Sequence, residues 1–256
     1  MITEIKESYV KSEIHQGIRT IEFFHPQSNS LPGVLLEALT REVRQAGIDP
    51  ATKVIVLRSA GEKAFCAGAS FDELLAIETP AEGLHFFLGF AHLISAMRKC
   101  PRFIVVRIQG KCVGGGVGMV AAADYAIAVE GADIKLSELS VGIGPFVVGP
   151  AVERKLGISH FSQLAIDASS WRTADWARKR GLYAEVHPAV ADMDESVQRL
   201  ASTLAHSNPE AMTQMKEMFW QGTEHWDQLM AERAATSGRL ILSDFSRETI
   251  RKFRKK

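Results

Sequence analysis

Residues 109–124 read QGKCVGGGVGMVAAAD. A glycine cluster runs straight into alanines, the pattern of a tight turn that feeds the N-terminus of a helix. Phe103 to Ile108 before it and Tyr125 to Val129 after it are short apolar runs, as expected of strands buried on both faces. Strand, glycine turn, helix and strand in that order predict a layered α/β core. The apolar stretch from Cys112 to Val129 is interrupted by Asp124 and carries Gly114, Gly115, Gly116 and Gly118. A membrane helix needs about 20 apolar residues, so this stretch reads as buried core and no membrane partner is expected. A dinucleotide fingerprint is excluded because Met119 stands where the third glycine of GxGxxG belongs. A phosphate loop is excluded because no Gly-Lys-Ser/Thr follows.

The alternation continues outward. Tyr9 to Ile14 and Ile18 to Phe24 are predicted strands joined by a turn at His15-Gln16-Gly17. His25 to Ser30 is turn-rich, and Leu35, Leu36, Leu39 and Val43 then recur at helical spacing up to Gly47. Lys53 to Leu57 is a buried strand, residues 59–70 a loop, and residues 71–99 helical up to the break at Pro101. Ile134 to Leu136 is another short strand and Gly142 to Pro150 an irregular loop. From Ala151 the chain reads as helices, with one strand near Ala184 to Val186. We expect an α/β core over residues 1–195 and a helical segment over 196–256 that caps the core or packs on another subunit.

Composition narrows the class. The chain is 46% hydrophobic and 23% charged, with mean hydropathy near zero, which excludes a disordered or fibrous protein. Basic and acidic side chains number 30 each, so no global field favours nucleic acid or an anionic membrane. The cysteines Cys66, Cys100 and Cys112 form no CxxC, which argues for a reducing compartment over a disulfide framework. The stretch MITEIKESYVKSE alternates charge and lacks the apolar core of a secretory leader, so a cytoplasmic location is expected. The histidines are scattered, without HExxH or Cys/His ligand spacing, and no metal site is expected.

Three features could carry chemistry. The small-residue run Ala64 to Ser70 follows a buried strand, so its backbone could approach a ligand closely and donate N–H groups to an anion. An ordinary tight turn would look the same. The glycine cluster could place a bare N–H at a helix N-terminus. Glu138 lies in a mostly apolar stretch before a Gly/Pro loop, where it is either a base of raised pKa or a surface residue capping a helix. Phe86, Phe87 and Phe90 read as core rather than as an acyl-binding stripe. Asp72 and Glu73 read as first-turn helix charges.

These features, in this order and spacing, resemble the enoyl-CoA hydratase/isomerase (crotonase) superfamily along nearly the whole chain. His25-Pro26 through Leu31 is similar to the family's turn before its first long helix. Lys63 to Ala69 is similar to its first oxyanion loop, Gly110 with Gly114-Gly115-Gly116 to its second, and Ser137 to Gly142 to the segment carrying a catalytic glutamate. The resemblance implies a crotonase-like spiral of ββα units with a helical C-terminal segment, assembled as a homotrimer or homohexamer. It implies an acyl-CoA thioester substrate and no separate cofactor, coenzyme A being part of the substrate. Glu138 would be the catalytic base, with the N–H groups of Ala69 and Gly115 holding the thioester oxygen. Ser28, Ala67, Gly68, Ser70, Phe71 and Gly114 match positions near substrate or CoA. In the basic C-terminal run RKFRKK, Phe253 and Lys255 would reach the CoA nucleotide, unless the run is a frayed tail.

The pattern departs from family hydratases in one place. These carry two glutamates; the second matches Glu138, but the first falls on Gly118. Members with only the second are often isomerases, which implies a 3-enoyl-CoA to 2-enoyl-CoA double-bond shift by one carboxylate. The alternatives are an enoyl-CoA hydratase, for instance of methylglutaconyl-CoA type, and a non-catalytic CoA-binding protein. The family's acidic residue after the first oxyanion loop is Ser70 here. The loop Ile143-Gly144-Pro145-Phe146 also departs from the common glycine-rich version, which implies a reshaped acyl pocket.

Overall fold

The computed structural model describes residues 7–254. The chain opens with a hairpin, β1 (Tyr9–His15) and β2 (Ile18–Phe24), paired antiparallel. Its turn places Gln16 and Gly17 at positive φ, 48° and 80°, as a two-residue hairpin turn requires. Helix α1 (Gly33–Ile48) follows and buries Leu35, Leu36, Leu39 and Val43, the stripe that the periodicity predicts.

The chain then repeats one unit three times. Each time a long strand is followed by a short strand and a helical segment. The first is β3 (Val54–Ser59), β4 (Ala64–Cys66), then α2 (Phe71–Ala76) and α3 (Pro80–Lys99). The second is β5 (Phe103–Ile108), β6 (Lys111–Val113) and α4 (Gly115–Ala122). The third is β7 (Tyr125–Val129), β8 (Ile134–Lys135), a 3₁₀ turn at Glu138–Val141 and α5 (Gly149–Ile166). The long strands join β1, β2 and a later strand in one sheet, and the short ones form a second, three-stranded parallel sheet in the order β4-β6-β8. Val54, Ile55, Val56 and Leu57 in β3, and Phe103 to Val106 in β5, are buried without alternation because both faces of the large sheet are covered.

The remainder is α6 (Ala174–Lys179), β9 (Glu185–His187), α7 (Val190–Ala205), α8 (Pro209–Trp220), α9 (Trp226–Leu240) and α10 (Asp244–Arg254). β9 closes the large sheet, whose order is β1-β2-β3-β5-β7-β9. The boundary expected at 195/196 falls inside α7, which packs against β3, β5, β7 and β9 as part of the core. The region 59–70, expected as loop throughout, contains β4. Three residues are too few to show a period of two.

The last two helices lie over this chain's own core. Helix α9 crosses α3 at a glycine pair: a Cβ on Gly83 would stand 2.6 Å from Gly238 Cα, so the backbones touch. Asp227 at the head of α9 takes hydrogen bonds from Ser95 and Arg98 at 2.5 and 2.9 Å, and from Lys99. Helix α10 rests on α2 and on the 3₁₀ turn, with Arg247 donating to Ile77 O at 3.0 Å. Among the described residues no helix is long and apolar enough to cross a membrane.

Candidate functional site

The turn ahead of α1 holds the first loop in place. Ser28 and Asn29 take left-handed φ values of 54° and 57°. The buried Asn29 amide donates to Ala60 O and Ala64 O at 2.8 and 2.9 Å. Ala67 N donates to Ser28 O and Leu31 N to Gly68 O, so residues 67–69 are fixed from one side. Gly68 has φ 87°, a conformation that glycine adopts without strain. A side chain there would point at Val113 O, 3.1 Å away, and Gly115 N, 3.7 Å away. The first loop therefore faces the second at van der Waals range.

The second loop is equally crowded. Gly114 caps α4, and its N–H donates to Lys135 O at 2.9 Å. A Cβ on Gly115 would fall 2.1 Å from the Phe90 ring, and one on Gly116 2.7 Å from Cys66 Cβ. This triplet is thus dictated by close approach rather than by nucleotide binding. Among the described residues, neither the Ala69 N–H nor the Gly115 N–H donates to another group of the protein. Two undirected amide donors on facing loops are the raw material of an anion-stabilising site.

Glu138 opens the 3₁₀ turn beside them. A Cβ on Gly114 would lie 3.1 Å from Glu138 Oε1, which places the carboxylate against the second loop. Its Oε2 is shielded from solvent and has no hydrogen-bond partner. Burial pushes this carboxyl up to about 7, against a smaller opposing effect of a backbone hydrogen bond. Of the two sequence readings of Glu138, the surface helix cap does not hold: Ser137 is the cap of this turn, no side chain caps it, and the Glu138 carboxylate is shielded.

One pocket, about 560 Å³ of space continuous with solvent, brings Ala67, Gly68, Ala69, Phe71, Gly114, Gly115 and Glu138 together. Other expected residues lie elsewhere. Ser28 is exposed in a neighbouring hollow with His25 and Lys63. Ser70 is buried, and its hydroxyl caps α2 by accepting the Glu73 N–H at 3.4 Å, so its side chain serves the helix. Phe253 on α10 meets Phe71 at 6.4 Å between ring centroids, which brings the C-terminal helix to the pocket rim. Lys255 lies outside the described residues.

The structure also adds to the site. Phe87 and Phe90, read from sequence as core, form pocket wall, together with Leu74, Val148 and Ser237. Helical spacing could not separate the two roles, because this pocket is floored by the core itself. The bare face of Gly118 points away from solvent: a Cβ there would sit 2.5 Å from Val148 Cγ1 and 3.5 Å from Ile94 Cδ1. Val148 fills the volume that a side chain at 118 would need. Cys66 is fully buried, with its thiol pushed up to about 12 by desolvation, so it is no nucleophile.

Comparison with known proteins finds similarity along nearly the whole chain. The family model described as enoyl-CoA hydratase/isomerase matches residues 13–254. A (7aS)-7a-methyl-1,5-dioxo-2,3,5,6,7,7a-hexahydro-1H-indene-carboxyl-CoA hydrolase of Rhodococcus jostii is 28% identical, over 78% of this chain and 76% of its own. A peroxisomal Delta(3,5)-Delta(2,4)-dienoyl-CoA isomerase of Arabidopsis thaliana is 24% identical, over 79% of this chain and 77% of its own. The crystal structure of an enoyl-CoA hydratase from Bacillus halodurans superposes with a TM-score of 0.88 at 20% identity, covering 96% of this chain and 100% of that one. At that identity the superposition establishes the fold alone, which is the crotonase fold expected from the sequence.

Proposed function

This chain belongs to the enoyl-CoA hydratase/isomerase family, and from that premise we propose that it shifts the double bond of a 3-enoyl-CoA to the 2-position, with Glu138 as the only acid/base group. The Glu138 carboxylate takes a proton from C2. Negative charge then spreads through the dienolate onto the thioester oxygen. The Ala69 and Gly115 N–H dipoles, already in place, stabilise that charge without reorganisation. Protonated Glu138 returns the same proton to C4, and the double bond ends between C2 and C3. Ala67, Gly68, Gly114 and Phe71 wall the thioester, and Phe253 extends the surface toward the CoA nucleotide.

The observation that carries this reading is the pairing of two unused N–H donors with one solvent-shielded carboxylate in a single apolar pocket. Hydration would need a second polar group to hold water. Val148 packed onto Gly118 supplies only methyl groups on that wall, which favours isomerisation. A non-catalytic binder would have no use for a carboxylate with one oxygen kept unpartnered in a desolvated site, where it is costly. The test is the pH dependence of kcat/KM. The base must be ionised, so the rate should rise with pH to a plateau, with its midpoint near the Glu138 value of about 7. A rate that falls across that interval would require Glu138 to act first as an acid and would overturn the mechanism.

The assembly we propose is a homotrimer or a dimer of trimers. Met215, Met218 and Phe219 expose an apolar strip on α8 that a second copy would cover. Light scattering should give three or six times the chain mass of 28.1 kDa. A mass of one chain at micromolar concentration would refute it.

A further inference from the structure

We infer that the acyl group accepted by this pocket is uncharged as well as apolar, so that a carboxylated acyl-CoA is excluded by the walls themselves. This rests on the acyl-CoA reading above and narrows its substrate class. The pocket has Phe87, Phe90, Phe146, Val148 and Leu74 among its walls. Its polar side chains are Ser137, Ser237 and Glu138, and among the described residues no lysine, arginine or histidine lines it. A carboxylate placed there would be stripped of water beside another acid, with no cation to meet it.

Three arginines of the helices around the pocket are already engaged. Arg233 of α9 donates to Phe146 O at 3.4 Å, and Arg247 of α10 donates to Ile77 O at 3.0 Å. Arg98 of α3 is buried against Thr223 and Asp227. Releasing any of them toward the pocket would break a hydrogen bond that ties a helix or loop over the site. Val148 also seals the end of the pocket near α4, because its methyl groups occupy the space in front of Gly118. A longer, polar-tipped acyl group therefore finds no second compartment there.

Binding of two saturated thioesters with the same number of acyl carbons, butanoyl-CoA and succinyl-CoA, tests this. Neither has a double bond to move, so isothermal titration near pH 8 reads affinity independently of turnover. Succinyl-CoA should bind at least about tenfold more weakly than butanoyl-CoA. In Glu138→Gln the gap should narrow but persist, because the apolar walls remain. Equal or tighter binding of succinyl-CoA would overturn the inference while leaving the acyl-CoA reading intact. Failure of butanoyl-CoA to bind would remove that reading, and the inference with it.

Discussion

Glu138→Gln is expected to lower turnover of a 3-enoyl-CoA at least about a hundredfold, while thioester affinity changes by no more than a few fold. Glutamine keeps the size and shape of the side chain and removes only its titrating group. The N–H donors of Ala69 and Gly115 stay where the loops hold them, so binding should survive. A kcat that falls with an unchanged KM separates this from a collapsed pocket. The same variant has a stability signature. An unfolded Glu138 titrates near the ordinary glutamate value of 4.5, and the folded one at about 7. Stability is therefore full below the lower value, and it is lost as pH rises toward and through the upper one. Glutamine escapes that loss. The variant should melt with the parent near pH 4 and above it near pH 8, by up to about 3 kcal/mol or several degrees. Wild-type turnover in Glu138→Gln would place the chemistry elsewhere.

Gly118→Glu should not create a hydratase. A second carboxylate at that position has no room, because its Cβ alone would stand 2.5 Å from Val148 Cγ1. Helix α4 is buried from Gly116 to Ala122, so neither it nor Val148 can retreat without moving core. Overpacking of this kind costs about 1–3 kcal/mol for a methyl-sized addition, and a buried unpaired charge adds several more. Thermal denaturation should show Gly118→Ala melting several degrees low and Gly118→Glu yielding little folded protein. Neither should hydrate a 2-enoyl-CoA. Pairing Gly118→Ala with Val148→Ala should recover part of the lost stability, since the two side chains compete for one space. A folded, hydrating Gly118→Glu would show that Val148 yields easily and that the wall is not fixed.

Where local pattern and tertiary burial agree, the sequence was readable. β3, β5 and β7 are legible as apolar runs because both faces of their sheet are covered. The glycine turn into α4 is legible because only glycine tolerates the approach of Phe90 and Cys66. The small sheet is not, since Ala64–Cys66 and Ile134–Lys135 are shorter than any period they could display. The site divides along the same line. Glu138 and the two loops stand out by residue type. Val148 does not: it reaches Gly118 from a loop far downstream, and nothing local marks it. Ser70 was misleading in the opposite sense, because an N-cap serine and a ligand-facing serine look alike until the Glu73 N–H is found on its hydroxyl. Phe90 fills both roles that the sequence set against each other, as core residue and as pocket wall.

The central claim is that one carboxylate moves one proton and no water is added. Incubating the purified protein with a 3-enoyl-CoA and, separately, with a 2-enoyl-CoA, and separating the products by chromatography, tests it most directly. The account predicts conversion of the 3-enoyl to the 2-enoyl thioester, with no 3-hydroxyacyl-CoA from either substrate. Accumulation of 3-hydroxyacyl-CoA from the 2-enoyl thioester at a comparable rate, or no reaction of the 3-enoyl thioester at all, would contradict it.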